Sequence, residues 1–481
     1  MFLARLLVLF SLVCISCAHS SFEQKQLKHA LDFATSNRLE LEILLQHYTY
    51  DSLKLEAAKF LIRNMPHCYS YQQGGEMDSV KRVRTYYSPF GQIDQTYARR
   101  WGHYTYRNLL KIYDAHIITA EYLIDNIDRA FDNWQKRPWN RSLSFEDFCE
   151  YLLPYRIGDE PLEEWRELYE KKYGYLLDSI YKGGDVVEAA NLVSRHLQEP
   201  VFIYCEDFEL PHIGPRYLFS HRYGSCVDAA DIVTYAFRAV GIPCMEDTDA
   251  RGGHVWNVVR DTTGRDVPIW YIASEAVRGS RDTGGYKRGK VYRPMYGFQE
   301  EKAAHLGDDW KSMPLLFYHP YMKDVSYAYY PDTLRILTGI PDDEVCYLAH
   351  FHEAHWWSCA CARSASGKME IPNLESELVY LPMKYTKGNY YPSGFPFWFA
   401  GGEINTFLPD WEKTVKVRLY RKYPVYGWLR SFMGHVVGGT FEGSMTKNFE
   451  DGKTLYEIAD TPVIARNRIF LNKSVKCRYI R

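Results

Sequence analysis

The spacing of apolar residues changes near Phe202, and this change limits how the chain can fold. From 21 to 199 the apolar residues recur every three or four positions, as on helices that bury one face. From about Leu316 short apolar runs between polar turns predict strands, for example Leu334–Leu337 and Leu378–Leu381. Because 481 residues are also too many for one ordinary core, we predict an α+β multidomain protein.

The changes in pattern also predict domain boundaries. The expected domains are a signal peptide at 1–17, a helical region at 21–199, a mixed α+β core at 200–300, a β-sandwich at 316–425 and a partial β-module at 430–481. Inside the helical region we expect one helix over 53–65, ended by Pro66, and another over 101–131. Ser144 is the expected N-cap of a third helix.

The first residues have the pattern of an export signal. Met1–Arg5 carries one positive charge, and Leu6–Ile15 is apolar but too short to span a bilayer. The following Ile15-Ser-Cys17 resembles a bacterial lipoprotein processing site, which would attach Cys17 to the membrane by a lipid. Plain secretion is the alternative. Either way we expect an exported protein of the bacterial cell envelope, at the outer membrane, the cell surface or the periplasm.

Composition excludes several classes of partner. Lys and Arg total 58 and Asp and Glu total 60, so no net field attracts nucleic acid. The cysteines outside the signal form no Cys-x-x-Cys pair typical of zinc sites. His350, His352 and His355 have a spacing that suits neither one helix face nor one strand face, so we interpret them as structural. We therefore predict no metal and no cofactor.

The strongest local signal for chemistry surrounds Cys226. Gly224 and Ser225 precede an apolar helix that Gly241-Ile-Pro ends. The dipole and free N–H groups at a helix start favour a thiolate, and they could also hold an oxyanion. A cysteine at the start of a buried helix is therefore rigidly placed for nucleophilic attack, although a single cysteine is more often a buried core thiol.

A histidine in a glycine-rich setting supplies a candidate base. In Gly252-Gly-His254-Val-Trp256 the glycines let the backbone approach the site, and His254 begins a predicted strand. There it could face Cys226 and take its proton. Trp256 would then form an apolar wall. Each residue alone is weak support, but their order and local context together favour a Cys–His pair.

These motifs resemble those of a known superfamily. Arg222-x-Gly-x-Cys226, a helix ending Arg238-Ala-x-Gly-Ile-Pro, and Gly253-His-x-Trp256 are similar to the transglutaminase-like superfamily, whose fold shares a Cys-His-acid arrangement with papain-like proteases. The resemblance implies that Cys226 is the acyl-accepting nucleophile and that His254 is the base and later the acid. It also implies a protein or peptide substrate and no cofactor.

The acid of the triad departs from the family pattern. The family places it after the histidine strand, often in Trp-x-Pro-Phe-Asp, and Trp270 falls at that position here. A hairpin turning at Thr262–Thr263 would place position 271 opposite His254, which leaves Asp266 near the turn. Glu275 is then the nearest carboxylate. A backbone carbonyl could orient the imidazole instead, or the site could be degenerate and only bind.

Resemblance continues outside the core. Leu153-Pro-Tyr-Arg-Ile-Gly-Asp-Glu and Gly289-Lys-Val-Tyr-Arg are similar to segments that flank this core in exported bacterial relatives. Gly438-Gly-Thr-Phe-Glu-Gly-Ser with Cys477-Arg-Tyr-Ile-Arg is similar to the first part of a coagulation factor 5/8 type C module, a galactose-binding-like jelly roll. That second resemblance implies a glycan partner.

Two functional hypotheses follow from these patterns. The first is an exported thiol enzyme that forms an acyl-enzyme at Cys226, with His254 as base, and acts on protein or peptide amides as a peptidase, an amidase or an acyltransferase. The alternative is a non-catalytic cell-surface protein whose degenerate core is a scaffold and whose β-modules bind glycan or protein.

Overall fold

A computed structural model gives the fold of most of the chain. It describes residues 21–87, 105–199, 201–204, 210–251, 253–270, 272, 274–280, 287–299, 313–337, 342–352, 355–410, 412–413, 436–460, 469–471 and 475–481. The predicted signal peptide and Cys17 lie outside these residues. Residues up to Leu408 form one compact unit, and Pro409–Arg481 form a second. Helices and sheets are both present, which confirms the predicted α+β multidomain class.

Helices dominate the first part of the larger unit. They are α1 (21–33), α2 (Arg38–His47), α3 (Ser52–Asn64), α4 (Gly75–Tyr87), α5 (Ala120–Lys136), α6 (Phe145–Tyr151), α7 (Arg166–Tyr175) and α8 (Val186–Leu197). The Asp51 side chain starts α3 by accepting the Lys54 N–H (3.1 Å), and Pro66 lies just beyond its end, as predicted. Ser144 caps α6 by accepting the Asp147 N–H (3.1 Å), also as predicted.

The prediction of one helix over 101–131 is wrong in its described part. Strand β1 (Tyr69–Tyr71) pairs antiparallel with β2 (Lys111–Tyr113), and α5 begins only at Ala120. The physical reason is a long-range contact. Asp114 is fully buried because Arg156 pairs with it (2.5 Å), and a local pattern of apolar residues cannot report such a partner.

A five-stranded sheet forms the middle of the larger unit. Its strands are β5 (Cys244–Asp249), β6 (Val255–Arg260), β7 (Asp266–Ile269), β8 (Val291–Pro294) and β9 (Met322–Asp324). A separate short pair precedes them, formed by β3 (Ile203–Tyr204) and β4 (Tyr223–Gly224). The helices of this part are α9 (Pro215–Ser220), α10 (Cys226–Ala239) and α11 (Leu315–Tyr318). The strand order is β7-β6-β5-β8-β9. Helix α10 packs on one face, where Asn257 donates to the Ala230 carbonyl (3.0 Å).

The β6–β7 hairpin has a different register from the predicted one. Arg260 pairs with Asp266, so extending the ladder would place position 272, not 271, opposite His254. The Asp261 carboxylate causes the shift, because it accepts the backbone N–H groups of Thr263 (2.8 Å) and Arg265 (3.1 Å). These bonds hold a tight loop that closes through Gly264 at φ 77°.

After β9, the described strands of the larger unit pair antiparallel. They are β10 (Leu334–Leu337), β11 (Val345–His352), β12 (His355–Arg363), β13 (Lys368–Ile371), β14 (Leu378–Thr386), β15 (Asn389–Pro392), β16 (Phe397–Ala400) and β17 (Glu403–Thr406). A six-stranded sheet and the β10–β13 pair share one hydrophobic cluster. The predicted strands at Leu334, Val345 and Leu378 are confirmed, and the one predicted at Val415 lies outside the described residues.

The second unit is described by three short strands. They are β18 (Thr440–Ser444), β19 (Lys453–Glu457) and β20 (Tyr479–Ile480), in the order β19-β18-β20. The Asp451 carboxylate organises the turn after β18 by accepting the Met445 N–H (3.0 Å) and the Thr446 N–H (3.1 Å). In neither unit does a described helix have the length and apolar character needed to cross a membrane.

Candidate functional site

Cys226 is the first residue of α10, the position that the sequence predicts. The Asp228 carboxylate fixes this helix start by accepting the Ser225 N–H (2.7 Å) and the Ser225 hydroxyl (3.1 Å). Arg84, from α4, donates to the same carboxylate oxygen (2.9 Å), and both side chains are buried. A Cβ on Gly224 would meet that oxygen at 2.2 Å, so only glycine fits before the cap.

His254 lies immediately before β6, in the short connection from β5. The Asp249 carboxylate organises this connection by accepting the N–H groups of Arg251 (2.9 Å) and Gly253 (2.9 Å). The Thr248 hydroxyl donates to the His254 carbonyl (3.0 Å). Since Asp249 is 1% exposed, these bonds are shielded from water and give the histidine backbone a defined position.

The imidazole of His254 contacts a backbone carbonyl. Its Nε2 atom lies 3.3 Å from the Trp270 oxygen, so Nε2–H is the donor and Nδ1, which then carries no proton, can act as base. Glu275 instead pairs with Arg195 (3.0 Å) at the surface. Asp266 pairs with Arg293 (2.8 Å). Of the alternatives that the sequence left open, the geometry favours the backbone carbonyl.

Cys226 and His254 line the same small cavity. Its other walls are Tyr204, Ala229, Ala230, Val255, Trp256, Asn257, Ile269, Trp270 and Ile272. The His254 and Trp256 rings are stacked at 26° with centroids 5.8 Å apart, and Trp256 is 1% exposed. The indole therefore forms the apolar wall that the sequence predicts. In such surroundings hydrogen bonds and charges act more strongly than in water.

The surroundings of His254 favour its neutral form. Burial lowers the pKa of His254 below the ordinary value of 6.5, and the positive charge of Arg288 lowers it further. The Arg288 guanidinium lies 5.0 Å from the ring centroids of both Trp256 and Trp270. The Trp270 carbonyl and Asp249 act in the opposite direction. A neutral imidazole can accept a proton, as a general base must.

Sequence reasoning missed several residues of this site. Arg84 is far from Cys226 in the chain, and no local pattern links the two. Tyr204 lies on β3, which pairs in parallel with β4, and this pairing brings its ring to the cavity. Asp249 did have a detectable signal, because an Asp before a glycine-rich connection often accepts from the backbone that follows it.

His350, His352 and His355 form no metal site among the described residues. His350 is fully buried in β11, and His355 is exposed on β12. Within the described ranges, no group of His, Cys, Asp or Glu side chains could hold a metal ion. The described cysteines are all thiols, of which Cys226, Cys361 and Cys477 are partly exposed.

No protein-family model matches this chain, and neither a curated protein nor a solved structure matches it significantly. The chemistry of the site therefore has to be inferred from its own geometry.

Proposed function

We propose that this protein is a transglutaminase-like thiol enzyme that forms an acyl-enzyme at Cys226, with His254 as its base. The single observation that supports it best is the His254–Trp270 hydrogen bond (3.3 Å), beside a cavity that Cys226 also lines. This bond uses the Nε2 proton and leaves Nδ1 for the thiol. A purely structural histidine would not explain why a cysteine at a helix start lines the same cavity.

The reaction would proceed by two acyl transfers. His254 Nδ1 takes the thiol proton while the Cys226 sulfur bonds to an amide carbonyl carbon, and N–H groups at the start of α10 hold the oxyanion. The carbon–nitrogen bond then breaks, and the imidazolium gives its proton to the leaving amine. Water or a second amine attacks the thioester, loses a proton to His254 and releases the thiol. Peptidase, amidase and acyltransferase activities all share this route.

The finer fold and the setting of the protein belong to the same proposal. α10 against β5–β7 supports a papain- or transglutaminase-like core, and the two sheets around one cluster support a β-sandwich. We further propose export to the bacterial cell envelope, by secretion or by lipid attachment at Cys17. The proposed partners are a protein or peptide substrate and a glycan bound by the last module.

The test is thiol alkylation followed over pH. Iodoacetamide labelling with mapping by mass spectrometry should modify Cys226 faster than a free thiol, by about tenfold at pH 6, because neutral His254 takes the thiol proton as the sulfur is alkylated. His254→Gln should abolish this excess. Cys361 is a matched control, since it is also a partly exposed thiol but lies on β12.

The outcome separates the enzyme from the binding protein. Incubation with a peptide amide should give an acyl adduct on Cys226 and none on Cys226→Ala. If Cys226 labels no faster than Cys361, and Cys226→Ala releases product from peptide amides as the parent does, the enzyme hypothesis is wrong. The non-catalytic alternative draws support from the neutral third group, because a carbonyl stabilises an imidazolium less than a carboxylate does.

A further inference from the structure

A second and larger cavity lies directly behind the Cys226–His254 pair. Its volume is about 470 Å³. Val227 and Val255, which follow the two site residues in the chain, are part of its wall, and Val255 also lines the small cavity. The two cavities are therefore neighbours that share Val255 as a wall.

The wall of this cavity combines carboxylates with aromatic rings. β5 contributes Glu246, and the helical region contributes Glu150 and Asp159. Tyr69 and Tyr321 contribute rings. Carboxylates and the faces of tyrosine rings both attract cations. We call this space the acidic cavity.

Glu246 is a buried acid of the acidic cavity that forms no ion pair with a Lys or Arg among the described residues. It is 7% exposed, and its Oε1 accepts from the Thr234 hydroxyl (2.7 Å). Among the described residues, Oε2 has no hydrogen-bond donor and no Lys or Arg forms an ion pair with it. Burial raises the pKa of Glu246 to about 8, and the nearby Asp231 adds to this rise. A buried carboxylate with one open oxygen is costly unless a cation reaches it.

The fixed cations around the acidic cavity are already engaged. Arg156 pairs with Asp114 (2.5 Å) and Glu160 (3.7 Å). His212 pairs with Asp231 (2.9 Å). Arg238 gives its N–H groups to carbonyls, including that of Cys244 (3.2 Å). The wall itself carries the acids Glu150, Asp159 and Glu246 and the cations Arg156, Arg238 and His212. Asp114, Glu160 and Asp231 are further carboxylates that pair with these cations from outside the lining.

Acids therefore outnumber cations even with His212 charged. Asp247 also lines the space, but Arg293 neutralises it (2.6 Å). Both oxygens of Glu150 are used by the N–H groups of Tyr296 (2.9 Å) and Gly297 (3.1 Å). Asp159 also lacks an ion-pair partner among the described residues, but it is only half-buried and its Oδ1 accepts the His212 N–H (2.9 Å). Glu246 is thus the buried acid that gains most from a new cationic partner.

We propose that the acidic cavity is a specificity subsite for a primary ammonium group of the acyl-donor substrate, accepted by Glu246 Oε2. The proposal rests on the proposed thiol chemistry at Cys226. An ammonium suits this site better than a guanidinium, because Glu246 offers one open oxygen and a guanidinium fork is best met by two. Thr234, whose hydroxyl donates to Glu246, lies on α10 after Cys226. At 1.5 Å per residue the two positions are roughly 12 Å apart along the helix, which is the distance that the substrate must span.

The ammonium could come from a lysine side chain or from a free amino terminus. Four tripeptide amides of the form Gly-Gly-Xaa separate the sources: Xaa is lysine with an acetylated amino terminus, norleucine with a free amino terminus, norleucine with an acetylated amino terminus, or arginine with an acetylated amino terminus. An extended tripeptide places its free amino terminus roughly 10 Å from the carbonyl, at about 3.4 Å per residue, so it can span the distance to Glu246. We expect kcat/KM for one of the two ammonium peptides to exceed that of acetylated norleucine by about tenfold or more. Glu246→Gln should reduce this ratio to near one.

The controls separate failure of the subsite from failure of the enzyme. Equal turnover of all four peptides by the Cys226-dependent enzyme would overturn the subsite and leave the thiol chemistry intact. An arginine peptide as good as the lysine peptide would overturn the choice of an ammonium. If no peptide turns over, the subsite is tested by calorimetric titration of Cys226→Ala with the same peptides. The subsite is rejected if neither ammonium peptide binds more tightly than the acetylated norleucine peptide. The substrate series needs no Glu246 variant, so it stands even if Glu246→Gln fails to fold.

Discussion

His254 Nε2 lies 3.3 Å from the main-chain oxygen of Trp270, so a peptide carbonyl stands where the family pattern places a carboxylate. This acceptor belongs to the backbone and cannot be removed by changing a side chain. It fixes the ring and the tautomer as a carboxylate would. It adds no negative charge to stabilise an imidazolium, and the site therefore relies more on the placement of His254 than on an ion pair.

The first prediction concerns Glu275. Its carboxylate pairs with Arg195 at the surface (3.0 Å), and both side chains are more than half exposed. We expect Glu275→Gln to leave the turnover rate within about twofold of the parent, as is usual for a surface substitution. Arg195→Gln is the matched control, since it breaks the same pair from the other side. If Glu275→Gln alone slowed turnover by about two orders of magnitude or more, Glu275 would be the third member of the triad.

The second prediction is the pH dependence of the reaction. Because burial and Arg288 lower the pKa of His254, the neutral base persists to lower pH than in a free histidine. The acid limb of kcat/KM should therefore lie below pH 6.5. Removing the Arg288 charge should move this limb to higher pH.

Three variants give that prediction its controls. Arg288→Gln removes the charge, and Arg288→Lys keeps it while changing the contacts with the two indoles. Lys287→Gln removes a neighbouring charge that pairs with Glu375 (3.5 Å). Only Arg288→Gln should shift the limb. An unchanged limb in Arg288→Gln would contradict the electrostatic origin of the shift.

The third prediction concerns Asp249 as a positioning residue. Asp249→Ala removes the acceptor for the N–H groups of Arg251 and Gly253, so the connection that carries His254 loosens. We expect the turnover rate to fall by about two orders of magnitude with a smaller change in KM, because catalysis is sensitive to misplacement of about 1 Å. Asp249→Asn keeps an acceptor oxygen and should recover part of the turnover rate. A rise in KM alone would instead assign Asp249 to substrate binding.

The fourth prediction is about stability. Asp228→Asn removes the charge that faces buried Arg84 (2.9 Å) and weakens the cap of α10. Leaving a buried guanidinium unpaired should lower the free energy of unfolding by about 3 kcal/mol. Ser144→Ala removes an ordinary exposed cap and should lower it by about 1 kcal/mol. Denaturant unfolding of both variants checks the difference, and equal losses would show that the Arg84 pair adds nothing.

The sequence predicts those parts of the fold that depend on local pattern. The start of α10 at Cys226, the Ser144 cap and the strand Val255–Arg260 each follow from residues within a few positions of one another. The strand at Lys111–Tyr113 could not be predicted in this way, because its place depends on Asp114 meeting Arg156 far along the chain. Such a pair exists only after folding.

The candidate site shows the same division. The proposed nucleophile and base have side chains that a motif can name, whereas the group that orients the histidine is a main-chain oxygen that any residue at position 270 would supply. The hairpin register was missed by one residue because the Asp261 side chain holds the loop. That single step decides which residue lies opposite His254.

The Arg84–Asp228 contact ties the helical region to the core. The cation that steadies the start of α10 comes from α4, so the core does not carry this support within its own sequence. Loss of the helical region would leave Asp228 without its cation, and the thiol would lose its rigid support even though Cys226 and His254 both remained. Any transfer of this core to another protein would therefore have to bring the helical region with it.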